Sequence, residues 1–161
     1  MSISFVVETG TGSAAATSYA TVAQFRQYWI NRGVSHDDND PQIQGYLNSA
    51  TEYIDITFTF RGEKTSTIQA LEWPRYGLSN HEGYSEYDSN EIPQRIIDAV
   101  CYMAAQAKAG DLNPIDEGIK SESYGPVSKA YAKTSGQRTF PACEKLLRNL
   151  IVSGNQLVRV N

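Results

Sequence analysis

Only two cysteines and two histidines occur among 161 residues, and that scarcity removes most catalytic chemistry at once. A nucleophile needs an adjacent base, and His36 and His81 both stand in polar, acidic stretches far from any such arrangement. No HExxH, CxxC, GxSxG or Walker pattern occurs, and the carboxylates are scattered without a pair that stands out. The expectation is no enzymatic activity and no cofactor. Cys101 and Cys143 fall among apolar neighbours without CxxC spacing, which predicts two buried, reduced thiols. His81-Glu82 has nothing nearby to complete a metal-ligand set. The acidic run at residues 35–40 lacks the glycine and terminal glutamate of an EF-hand and reads as a solvated loop. Gly10-Thr11-Gly12 is followed by neither a GK[ST] nor a third glycine, so it is not a phosphate loop. No apolar run approaches the length of a membrane span, and the first residues lack a basic n-region. A cytosolic or assembly-associated protein without a membrane partner is expected.

Positive charge is also missing from most of the chain. Residues 1–118 carry seven Lys/Arg against sixteen Asp/Glu, whereas residues 119–161 carry seven against two. An acidic body with a basic C-terminal third predicts that this last third meets something negative, either nucleic acid or an acidic protein surface.

What the chain does have is helical periodicity. Ile92, Ile96, Val100, Met103, Ala104 and Ala107 recur at helical spacing behind Pro93, and Gly110 stands where a left-handed cap would close the helix. This is the best helix in the chain, and its small residues from Ala104 to Ala109 invite close approach of a neighbour. Ser18 or Thr21 can cap a helix bearing Val22, Phe25, Tyr28 and Trp29 that ends at Gly33. Asp40 and Pro41 read as N-cap and first turn of another, carrying Ile43, Leu47, Ala50 and Ile54 until the β-branched run from Ile56. Pro74 holds Trp73 away from helical dihedrals, and the indole is expected to anchor the loop that follows. Residues 119–123 and 127–131 flank Tyr124-Gly125-Pro126 as a hairpin signal. A short amphipathic helix then runs from Pro141 to Ile151, and Gln156, Leu157, Val158, Arg159, Val160 and Asn161 form a strand-prone tail. The expected fold is mainly α: a small helical bundle with a projecting β-hairpin, a short N-terminal extended segment and an extended C-terminal tail. Residues 1–154 make one domain and 155–161 the tail.

The ordered landmarks resemble those of small tailed-phage proteins labelled DnaT-like and of head–tail connector (adaptor, head-completion) proteins. They are Val7-Glu8-Thr9-Gly10-Thr11-Gly12, Ala50-Thr51-Glu52-Tyr53-Ile54-Asp55, Leu71-Glu72-Trp73-Pro74-Arg75 and Ile92-Pro93 with its Ala-rich helix. The connector resemblance implies a structural virion protein of the neck, present in the host cytoplasm before assembly. It forms a ring, commonly dodecameric, that binds portal and tail or neck proteins and lets genomic DNA pass without sequence-specific contact. On that reading Gln156 to Asn161 dock on the portal, and Ser123, Tyr124, Gly125, Pro126 and Lys129 contact the ring or the tail. Trp73, Pro74, Arg75, Ile96 and Val100 are structural anchors. The alternative that the same label implies is a DnaT-like single-stranded DNA-binding accessory protein. Such a protein needs cations with aromatic residues interleaved, and Lys120, Lys133, Arg138, Lys145 and Arg148 are its candidate DNA-facing residues, with Tyr124 and Tyr131 nearby.

Overall fold

A computed structural model describes residues 2–79, 87–112 and 139–152. Among these lie four helices, α1 (Val22–Ile30), α2 (Asp40–Thr57), α3 (Gln94–Ala109) and α4 (Pro141–Leu147), and two short strands, β1 (Glu63–Lys64) and β2 (Arg75–Tyr76). The mainly helical expectation is met. The helix organised on Ile96, Val100, Met103 and Ala104 is central, since α3 packs against α1, α2 and α4. Of its small residues from Ala104 to Ala109, Ala104 is fully buried in the core shared with Leu47, Ala50 and Ile54 of α2, Ala105 and Ala107 are partly buried, and Ala109 is exposed.

Capping explains where the helices begin. Thr21 accepts the Gln24 N–H while the Gln24 side chain accepts the Thr21 N–H, a reciprocal capping box that opens α1. The same box opens α2, but Asn39 is its cap, not Asp40. Asp40 is drawn instead into an ion pair with Arg26 on α1, at 2.8 Å. A second correction concerns Gly110. Its φ of 164° is extended rather than left-handed, and α3 closes through its N–H donating to Gln106 O. The last helix also stops short of Ile151. After Leu147 the chain turns, and Ile151 bridges Phe60 in an extended antiparallel contact.

The strands that form are not the hairpin expected at residues 119–131, which lies outside the described residues, as does the tail from Gln156 to Asn161. The observed antiparallel pair sets Glu63 against Tyr76 and Lys64 against Arg75. Its closing point is Gly62, at φ +73°, where any Cβ would run into the Tyr76 carbonyl. The N-terminal segment is extended, with one parallel bridge from Val7 to Ser18.

Trp73 is fully buried, with Phe60 and Tyr87 edge-on to its indole, and the Trp73–Pro74 peptide is cis. Its backbone N–H donates to Tyr19 Oη at 3.1 Å, and that hydroxyl donates to Asp55 Oδ1 at 2.8 Å. Asp55 Oδ2 also accepts the Glu72 N–H. Desolvation pushes the Asp55 carboxyl up to about 6, above its unfolded value of 3.8, although the hydroxyl and amide donors pull it back. A raised folded pKa means that the native state holds this proton more tightly than the unfolded chain. Asp55 therefore stabilises the fold most below pH 4 and loses that contribution as pH rises through about 6. We expect Asp55→Asn to cut the loss of melting temperature between pH 5 and 7.5 relative to the unaltered protein. Equal changes in both would show that Asp55 is not the group responsible.

Candidate nucleic-acid interface

Most cations of the acidic body are already matched. Arg26 pairs with Asp40, Lys64 and Arg75 with Glu72, and Lys108 with Asp38 at 2.6 Å. Arg32 lies 3.5 Å over the Tyr28 ring and donates to the Tyr28 carbonyl. Arg32 makes no ion pair among the described residues, and neither do four others: Arg61, Arg95, Lys145 and Arg148. Arg95 is exposed on the first turn of α3.

The remaining three meet at one edge. Lys145 and Arg148 are three residues apart on the exposed side of α4 and its C-cap, where the negative end of the helix dipole favours cations. Arg61 reaches this end from the segment after α2. Its Nη1 donates to Asn149 O at 2.8 Å and its Nη2 to Ser79 O at 3.2 Å. Carbonyls hold a guanidinium in place without cancelling its charge. The backbones are joined as well, since Arg61 N–H donates to Leu150 O and Val152 N–H to Thr59 O, both at 2.8 Å. The result is an edge of three cations outside any ion pair among the described residues, built from α4 and the strand-like segment after α2, with exposed Glu144 beside Lys145. Half-buried Phe58 lies in that segment, and Tyr53 stands edge-on to both Phe58 and Phe140.

Of the five DNA-facing candidates, Lys145 and Arg148 are brought together here. Lys120, Lys133 and Arg138 lie outside the described residues, as do Ser123, Tyr124, Gly125, Pro126 and Lys129. Trp73, Pro74, Arg75, Ile96 and Val100 are all buried. Arg61 escaped sequence reasoning because Arg61-Gly62 looks like an ordinary turn, and nothing local says that it docks on a helix 88 residues later.

Two other features rule on chemistry. The glycine loop does cradle an anion, but the anion is Glu8. This buried carboxylate accepts the N–H groups of Gly10, Gly12 and Ser13 at 2.8, 3.0 and 2.7 Å, so those amides are taken. Both cysteines are free and buried, as expected, with desolvation pushing each thiol up to about 12. Such thiols are poor nucleophiles. Among the described residues no three His, Cys, Asp or Glu side chains could share a metal ion, and no helix is long and apolar enough to cross a membrane.

His36 departs from the solvated-loop reading of residues 35–40. Its ring lies 5.0 Å from Phe25 and 5.5 Å from Trp29, with Lys108 Nζ 3.5 Å from Nδ1. Burial and the neighbouring ammonium lower its pKa.

The described residues form a small, mainly helical domain. Residues 3–161 match the protein family described as "Putative DnaT-like ssDNA binding protein", and the chain belongs to that family. No curated protein and no solved structure matches it. The family match corrects the connector resemblance, and with it the neck-adaptor role, the ring, the portal and tail partners and the passive DNA channel. The physical reason for the error is that the shared landmarks are core and turn residues, which specify packing rather than partners.

Proposed function

We propose that the protein binds single-stranded DNA as an accessory factor and carries out no reaction of its own. The observation that carries this reading is the edge formed by Arg61, Lys145 and Arg148. It is the place where the described part of an acidic chain gathers cations that make no ion pair among the described residues, and it continues the basic C-terminal third. Phosphates would lie on that edge, and Phe58 beside it is the kind of ring on which a base stacks. Family membership supports the same ligand. Its place of action on this reading is the cytoplasm.

The test is fluorescence anisotropy with a labelled oligo-dT at several salt concentrations. Binding should weaken log-linearly with salt, at about 0.7 decades per decade of salt for each phosphate contact. Absence of binding at low salt, or binding indifferent to salt, would overturn the proposal.

A further inference from the structure

The C-terminal halves of α2 and α3 leave a groove of about 330 Å³. One face of α2 supplies Ser49, Glu52, Tyr53, Ile56 and Thr57, and the end of α3 supplies Ala107 with Asp111 and Leu112 beyond it. The chemistry of this groove is unlike that of the edge. Ile56 is 74% exposed on a helix whose other isoleucines, Ile43 and Ile54, are fully buried. Glu52 is exposed and makes no hydrogen bond or ion pair among the described residues. The groove therefore offers apolar walls at Tyr53, Ile56 and Leu112 and two acceptor-only carboxylates, Glu52 and Asp111.

A phosphate would be repelled there, but a flat ring with an amino edge would fit both features. We propose that the groove receives a nucleobase carrying an exocyclic amino group, cytosine above thymine, from a single strand whose phosphates lie on Arg61, Lys145 and Arg148. This inference rests on the single-stranded DNA reading. Cytosine presents N4–H₂ donors to a carboxylate, whereas thymine presents O4 at the same place, so two acceptors would face each other. The spacing allows one strand to use both sites. Thr57 in the groove is four residues from Arg61, a path of at most about 13 Å of extended chain.

The experiment compares oligo-dC and oligo-dT of equal length by anisotropy at pH 7.5 and one salt concentration, for the unaltered protein, Glu52→Ala and Glu52→Gln. Oligo-dC should bind about fivefold tighter than oligo-dT to the unaltered protein, the worth of one hydrogen bond. Glu52→Ala should narrow the difference by weakening dC more than dT. Glu52→Gln, which can donate to thymine O4, should shift the ratio towards dT. Position 52 is exposed, so both variants should fold, and unchanged circular dichroism checks it. Equal binding of dC and dT by the unaltered protein overturns the groove assignment and leaves the single-stranded DNA reading standing. A dC preference of unchanged size in Glu52→Ala also overturns it. Failure to bind either oligonucleotide removes the broader reading and this one with it.

Discussion

Replacing Trp73 with alanine should destabilise the fold by about 3–5 kcal/mol, the range for emptying a fully buried large aromatic site. The indole is 0% exposed and sits edge-on between Phe60 and Tyr87, so its removal leaves a cavity that neither neighbour can fill without losing its own packing. The backbone N–H at position 73 would keep its bond to Tyr19, so the loss reports packing and not the Tyr19–Asp55 network. Trp73→Phe separates two contributions. The indole Nε1 is buried without a hydrogen-bond partner, and such a donor already costs the native state about 1–3 kcal/mol. Phenylalanine removes that orphan while keeping most of the ring, so it should cost less than half as much as alanine. Urea melts of both variants measure this. A Phe variant as unstable as the Ala variant would show that ring shape, not the cavity, dominates.

The largest expected effect on binding comes from reversing the two exposed charges of α4. Lys145→Glu with Arg148→Glu converts two cations to anions on a solvent-facing surface, so the melting temperature should move little. Affinity for oligo-dT should fall by about 100-fold or more at low salt, because two phosphate contacts become two repulsions. The salt dependence should flatten by about 1.4 decades per decade, two contacts' worth. The same reversal at Arg95, on a different helix, is the control and should matter less. If Arg95→Glu does as much damage as the α4 pair, the edge is misplaced.

The parts of this fold that were legible from the amino-acid sequence are those governed by local periodicity. Ile96, Val100 and Met103 recur on one helical face and are buried on it, and Trp73-Pro74 stops its segment and anchors it as read. Errors arose where two local signals competed. Asn39 and Asp40 can both cap a helix, and the decision fell to Arg26, fourteen residues upstream of its partner, which claimed the aspartate. Gly110 looked like a left-handed cap, yet the chain leaves α3 extended. His36 read as solvated because its apolar contacts, Phe25 and Trp29, come from another element. The binding edge was half legible. Lys145 and Arg148 follow from charge counting, but Arg61 joins them only through tertiary contact. The choice between connector and DNA-binding roles was not legible at all from landmarks that the core requires for either.

Arg75 links these two levels. Its buried guanidinium donates to the carbonyls of Phe60, Arg61 and Gly62, the last at 2.7 Å, and so grips the very segment that carries Arg61 outward. With its own side chain tied to Asn149 and Ser79, Arg61 is immobilised at both backbone and tip before any ligand arrives. Freezing a long flexible side chain costs an incoming partner about 0.5–1.5 kcal/mol, and here folding has done it in advance. If the protein binds a single strand as proposed, a cation so held would act as a fixed reference point, against which Lys145 and Arg148 adjust to the spacing the strand presents.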